Sequence, residues 1–114
     1  MSELSNHQCI ATPKDSPKLT DAEIAQLQPQ IPDWVVETNN GILRLENIFS
    51  FGNFIEAMAF ANKIADIAEA NDHHPALLVQ YGSVKVSWWS HSIGGLHLND
   101  FVLAAKTDKA YTNK

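Results

Sequence analysis

Three of the chain's five histidines are candidates for proton-transfer chemistry near neutral pH. His73 and His74 stand directly before Pro75, and His91 follows later in the chain. Imidazole can give or take a proton in this range because its unperturbed pKa is about 6.5. Such a cluster is suited to a reaction in which an acid protonates a leaving group while a base removes a proton.

Carboxylates near the histidines could fix a tautomer or stabilise an imidazolium. Glu69 lies four residues before His73, near the C-terminal end of a predicted long helix. The partial negative charge at that end would also favour a protonated imidazole. Asp72 and Asp100 are the other two candidates for this supporting role.

Two adjacent tryptophans, Trp88 and Trp89, end a predicted strand. Either could give a flat ligand a stacking surface, but only one can face the site if the strand alternates. The alternative is that both belong to the sheet core or to an interface, because aromatic residues favour strands.

Two other interpretations of the histidines stay open at this point. His73 and His74 could be loop residues that satisfy backbone groups. Together with His91 they could also hold a catalytic zinc ion. Adjacent side chains in an extended segment point to opposite faces, however, and no His-x-x-x-His pair or cysteine supports a metal. We therefore predict no metal site.

The hydrophobic pattern supplies the elements that must position these residues. It predicts a first helix over 21–28, strands over 34–37 and 42–49, and a long helix over 53–70. Two more strands follow over 76–81 and 84–89. A last helix starts between residues 97 and 100, and its polar end frays from Lys106. The turns are predicted at Asn39-Asn40-Gly41 and at Gly82-Ser83. This order, α-β-β-α-β-β-α, predicts an α+β domain with a four-stranded antiparallel sheet and three helices on one face.

The long helix has an apolar arc wider than the stripe of an ordinary surface helix. Its second stripe, formed by Phe60, Ile64 and Ile67, allows two interpretations. It packs on the sheet and a neighbouring helix, or it meets another subunit. The edge strands of a small open sheet are often protected by pairing with a second copy, so a homodimer or homotetramer is expected.

Length and composition limit the remaining possibilities. The 114 residues fit one domain, which we place at 19–114 after a flexible N-terminal leader at 1–18. No secretory signal or membrane span is visible, and Cys9 is the chain's single cysteine, so we expect a cytoplasmic protein. A net charge of −5 argues against direct nucleic-acid binding.

A spacing pattern that links the histidines resembles the signature of the pterin-4a-carbinolamine dehydratases. It reads Glu69, three residues, His73-His74-Pro75, five residues, Tyr81, nine residues, His91, eight residues, Asp100. The element order from about Thr20 to Tyr111 is also similar to that family. Some members have an acidic residue and a tryptophan after the proline, where this chain has Ala76 and Leu77.

The resemblance implies dehydration of 4a-hydroxytetrahydropterin to quinonoid dihydropterin, which serves cofactor recycling for aromatic amino acid hydroxylases. It implies no metal and no organic cofactor. His73 and His91 would be the acid/base pair, without a decision on which is which, and His74 would hold the pterin. Residues with supporting roles would be Glu69, Asp72 and Asp100. Mammalian relatives also act as dimerisation partners of a transcription factor through helix surfaces, so a non-catalytic role for the long helix stays open.

Overall fold

The computed structural model describes Leu4 and residues 17–112 of the chain. The helices are α1 (Asp21–Leu27), α2 (Phe54–Asn71) and α3 (Leu98–Thr112), and the strands are β1 (Val35–Asn39), β2 (Ile42–Ser50), β3 (Ala76–Gln80) and β4 (Ser83–Trp88). All neighbouring strands are antiparallel, in the order β1-β2-β4-β3. The predicted α+β fold and its element order are confirmed. His7, Cys9 and most of the predicted leader lie outside the described residues, whereas Leu4 is buried in the core.

Local sequence signals explain where the first elements begin and turn. At the start of α1, Thr20 Oγ1 accepts a hydrogen bond from the Glu23 amide at 3.2 Å, and Glu23 Oε1 accepts from the Thr20 amide at 2.8 Å. This is a capping box. Between β1 and β2, Asn40 and Gly41 both have positive φ, at 55° and 80°. Residues of these types adopt that conformation at low cost, which explains the tight turn.

Most predicted boundaries differ from the structure by one or two residues, β1 for example being Val35–Asn39 rather than 34–37, and two differences have a clear structural cause. The β3–β4 turn consists of Tyr81 and Gly82 rather than Gly82 and Ser83, because Gln80 pairs with Ser83 in the ladder. The polar end of α3 does not fray at Lys106, since the helix continues to Thr112. A buried hydrogen bond from Trp88 Nε1 to Thr107 Oγ1, 3.0 Å long, ties this part of the helix to β4.

The main core lies between one face of the sheet and the helices. Phe60 and Ile64 of α2 are almost fully buried there, and Ile67 packs against the same cluster. The second stripe of α2 therefore belongs to the chain's own core, and the interpretation that it meets another subunit is wrong. The exposed apolar side chains of α2 are Phe54, Ile55 and Met58. Among the described residues, no helix is long and apolar enough to cross a membrane.

The opposite face of the sheet carries a row of charged and polar side chains. On β2, Arg44 and Glu46 alternate with the buried Leu45 and therefore point away from the helices. Ser87 Oγ of β4 donates to Glu46 Oε2 at 2.8 Å, and Lys85 Nζ lies 3.3 Å from Glu46 Oε1. The negative charge of Glu46 is thus compensated by Lys85 and Ser87 of the neighbouring strand β4.

A carboxylate of α3 is hydrogen-bonded to a core tryptophan. Trp34 Nε1 donates to Asp108 Oδ1 at 2.8 Å. Burial raises the pKa of Asp108, the Trp34 hydrogen bond opposes that effect, and the nearby charge of Asp33 adds to it. The folded state therefore holds the Asp108 proton more tightly than the unfolded chain does, and folding stability falls as pH rises through the folded pKa.

We expect Asp108→Asn to stabilise the protein at pH 7. The amide oxygen can still accept from Trp34, while the cost of burying a charge disappears. The gain should stay below about 1 kcal/mol because Asp108 is partly exposed and solvent screens its charge. Urea denaturation at pH 7 and near pH 4 measures it.

The stability gained by Asp108→Asn should shrink toward pH 4, because the Asp108 carboxyl of the wild-type protein is itself protonated more often there. Asp33→Asn is the matched control, since it removes only the repulsion and should give a smaller increase. An Asp108→Asn variant less stable than wild type at pH 7 would contradict this account.

Candidate functional site

The end of α2 places two histidines beside each other outside the helix. Asp72 ends α2 in the left-handed conformation, with φ 49° and ψ 45°. The His73 amide then donates back to the Ala68 carbonyl at 3.1 Å, which closes the helix end. Pro75 follows and leads directly into β3. The chain thus leaves the helix at His73 and enters the sheet within a few residues.

His73 is held by a buried carboxylate of α3. Its Nε2 lies 2.7 Å from Asp100 Oδ1, and the two side chains are 11% and 0% exposed. Asp100 Oδ2 accepts from Ser90 Oγ at 2.8 Å and from the His97 amide at 2.9 Å. An ionised carboxylate only accepts hydrogen bonds, so His73 carries a proton on Nε2. Its Nδ1 is the atom that can exchange a proton with a ligand.

The same carboxylate also caps α3. Asp100 lies in the first turn of the helix, where the partial positive charge of the helix N-terminus stabilises a negative charge. His97 Nδ1 accepts from the Asn99 amide at 3.1 Å, while the His97 amide donates to Asp100. Only the bond from the His97 amide to Asp100 matches a capping box, because the imidazole accepts from the second amide of the helix instead of the third. His97 is therefore a helix cap.

His91 lies next to the hydroxyl that reaches Asp100. It directly follows Ser90, and its Nε2 donates to the His74 carbonyl at 3.2 Å. Its ring stacks on Trp89, with 4.4 Å between centroids and 33° between planes. A carbonyl accepts only, so the neutral His91 also carries its proton on Nε2 and leaves Nδ1 free.

His74 forms the exposed part of the cluster. Its Nε2 lies 2.6 Å from Glu69 Oε2, and the side chains are 53% and 78% exposed. Solvent screens such a pair, so it orients the ring with little effect on stability. Asp72, predicted as a further partner, is an exposed helix cap that makes no hydrogen bond to an imidazole among the described residues.

The two tryptophans have different positions. Trp88 is fully buried in the core, donates to Thr107, and has its ring centroid 6.1 Å from that of His73. Trp89 is partly exposed and contacts His91. The two tryptophans therefore lie beside different histidines, Trp88 near His73 and Trp89 near His91, and of the two only Trp89 is accessible to a ligand.

Hydrogen bonds and sequence adjacency join all three histidines into one cluster. His73 contacts Asp100, Asp100 contacts Ser90, Ser90 precedes His91, and His91 contacts the His74 backbone. Among the described residues, each ring has a hydrogen-bond partner at Nε2 and none at Nδ1, an arrangement suited to giving and taking protons. In the described part of the chain, no group of three or more histidine, cysteine, aspartate or glutamate side chains is arranged to hold a metal ion.

Sequence reasoning missed Ser90 and Arg44. The Arg44 guanidinium carbon lies 3.8 Å from the Trp89 ring centroid. No motif or spacing marks either residue, because each reaches the cluster through pairing or packing with a distant element.

Comparisons with known proteins agree with the resemblance noted in the sequence. The family model described as pterin 4 alpha carbinolamine dehydratase matches residues 17–110. The fold is similar to that of a transcriptional coactivator/pterin dehydratase from Brucella melitensis, with a TM-score of 0.74 and 27% identity over 83% of this chain and 99% of that one. It is also similar to a pterin dehydratase-like protein identified as a RuBisCO assembly factor in the alpha-carboxysome, with a TM-score of 0.59 and 20% identity over 69% of this chain and 89% of that one.

We expect Asp100→Asn to disturb both the fold and the His73 tautomer. An asparagine has one acceptor oxygen, so its amino group must face either the His97 amide or His73 Nε2. Leaving one buried donor without an acceptor costs about 1–3 kcal/mol. Urea denaturation measures the loss, and ¹⁵N chemical shifts of the imidazoles report the tautomer.

Asp72→Asn is the matched control for stability, because asparagine also tolerates the left-handed conformation at a helix end. It should unfold at the same urea concentration as wild type. If Asp100→Asn leaves both stability and the His73 nitrogen shifts unchanged, the carboxylate does not hold that ring.

Proposed function

The chain belongs to the pterin 4α-carbinolamine dehydratase family, and we propose that it dehydrates 4a-hydroxytetrahydropterin to quinonoid dihydropterin and water. The observation that carries this proposal is the linkage of His73, through Asp100 and Ser90, to the segment that bears His91. This linkage supports a site in which the two imidazoles act on one ligand, one as the acid and the other as the base.

The reaction requires two proton transfers and no redox change. A proton is added to the C4a hydroxyl, the C4a–O bond breaks, and water leaves. The proton on N5 is removed, and its electron pair forms the N5=C4a double bond. One general acid and one general base are sufficient, and after turnover the two imidazoles exchange protons with water.

We assign the acid to His73 and the base to His91. Asp100 is a buried anion beside His73 and stabilises its imidazolium form, which can protonate the leaving hydroxyl. His91 Nε2 faces a neutral carbonyl, so no carboxylate stabilises its imidazolium there. The neutral His91 offers the Nδ1 lone pair to the N5 proton.

His74 and Glu69 fit a binding role. They are exposed and neighbour the acid/base pair, so a pterin can reach them without a rearrangement of the core. Trp88 is too buried to stack on a pterin. Trp89 already contacts His91, and we propose that it supports that ring.

The wider assignment follows from the reaction. The product is a quinonoid dihydropterin, which must be reduced to the tetrahydro form by another enzyme before aromatic amino acid hydroxylases can use it again, and we place this activity in the cytoplasm. We also propose that the chain forms a homodimer or homotetramer, because α2 exposes Phe54, Ile55 and Met58 and the sheet has two edge strands. Sedimentation of the pure protein should give a mass of two or four chains.

A non-catalytic interaction role is the second candidate. The exposed apolar side chains at the start of α2 favour it, as does the similarity to the Brucella protein, which is a transcriptional coactivator/pterin dehydratase. Such a role would need α2 and would not need the histidines. The two functions can therefore be separated by variants of the imidazoles.

We expect His73→Ala and His91→Ala each to lower kcat at least about 100-fold, the range for loss of a general acid or base. His74→Ala should mainly raise KM. The assay uses chemically generated 4a-hydroxytetrahydropterin, with the uncatalysed loss of water subtracted. Circular dichroism checks that each variant is folded, and wild-type turnover no faster than the buffer background would refute the enzyme assignment.

Chemical rescue tests which histidine is the base. His91 is exposed, so added imidazole can reach its place in His91→Ala. The rescued rate should rise with the neutral imidazole fraction as pH increases. A rate that follows imidazolium instead would reverse the assignment of acid and base.

A further inference from the structure

Arg44 is an unusual cation on the outward face of the sheet. It is partly buried, its guanidinium lies over Trp89, and its enclosed Nε has no hydrogen-bond partner within the part of the chain that the structure describes. Glu37 stands opposite it on β1, yet no ion pair joins them. Lys85, the comparable cation on β4, pairs with Glu46. Among the described residues, Arg44 makes its defined contact with an aromatic ring instead of a carboxylate.

Trp89 connects Arg44 to the site. Extending the ladder beyond the Leu45–Trp88 pair places Trp89 beside Arg44 on the outward face. The Trp89 ring contacts the Arg44 guanidinium at 3.8 Å and the His91 imidazole at 4.4 Å between centroids. An indole in contact with both groups has little freedom to rotate.

The orientation of the His91 ring depends on the Trp89 indole, whereas the other two histidines are oriented by carboxylates. His73 and His74 each have a carboxylate that fixes their orientation. His91 has one hydrogen bond, to the His74 carbonyl, and the stack on Trp89. A hydrogen bond through one ring atom leaves the ring free to turn about that contact, so the stack must define the direction of Nδ1.

We propose that Arg44 is a positioning residue for His91 that acts through Trp89. This inference rests on the proposed dehydratase function and adds to it a residue outside the family spacing pattern. A planar guanidinium stacks on an indole and is attracted by its π electrons. That attraction holds Trp89 in place, and Trp89 in turn aims His91 at the substrate.

The test compares Arg44→Met with Lys85→Met. Both remove a cation from the same face, but only the first removes a contact with Trp89. Arg44→Met should lower kcat roughly three- to tenfold with little change in KM, because small misplacements of a reacting group are costly. Lys85→Met should keep the wild-type kcat. Equal kcat values for Arg44→Met and wild type would overturn the proposal.

A double-mutant cycle separates positioning from other roles. In a His91→Ala background, Arg44→Met should cause no further loss, because the ring that it positions is gone. If Arg44→Met lowers kcat there by the same factor, Arg44 acts on the substrate or on the fold, and the proposal fails.

Imidazole NMR gives a readout that does not depend on turnover. The ring protons of His91 feel the ring current of Trp89, so Arg44→Met should shift them and leave those of His73 in place. Unchanged His91 signals would overturn the positioning role even if the enzyme is active. If Arg44→Met shifts the His91 signals but the wild-type protein shows no turnover, the dehydratase assignment fails, while the contacts from Arg44 through Trp89 to His91 stand.

Discussion

The buried carboxylate of Asp100 is the constraint on which the site depends. A charge with no solvent exposure is costly unless hydrogen bonds and opposite charge compensate it. Three donors do so here: the His73 ring, the Ser90 hydroxyl and the His97 amide. They come from the end of α2, the loop after β4 and the start of α3. The site can therefore form only when all three segments have docked, which joins folding directly to the placement of the imidazoles.

Restraint decreases across the cluster from His73 outward. His73 is nearly buried and paired with a buried anion, His91 relies on a carbonyl and an indole, and His74 pairs with an exposed glutamate. A fixed inner group and more accessible outer groups suit a small planar ligand that must enter from solvent. Of the three rings, His74 has the weakest restraint, because its only side-chain partner is itself exposed.

The features that sequence predicted correctly are local. The capping box at Thr20 and Glu23 and the positive-φ turn at Asn40 and Gly41 involve residues a few positions apart, so residue type alone decides them. The exception is the pair of His73 and Asp100, 27 residues apart, which the resemblance to a known family and no local signal identified. The alternation of the strands and the length of α2 were sufficient to predict the element order.

The features that sequence could not predict depend on distant partners. The β3–β4 turn is shifted by one residue because the ladder pairs Gln80 with Ser83, although Gly82 and Ser83 are good turn residues. The continuation of α3 depends on Trp88, a residue of the sheet. Arg44 and Ser90 carry no local signal, because their roles come from strand pairing and from the docking of α3.

The two ends of α2 give the chain two separate surfaces. Ile55 and Met58 are exposed near its first turns, whereas His73 and His74 follow its last residue. The 18 residues of the helix, at about 1.5 Å per residue, separate these ends by roughly 27 Å. The stripe between them is occupied by the core through Phe60 and Ile64. A subunit bound at the first end therefore need not cover the imidazoles at the other, so the proposed self-association and the proposed catalysis are compatible on a single helix.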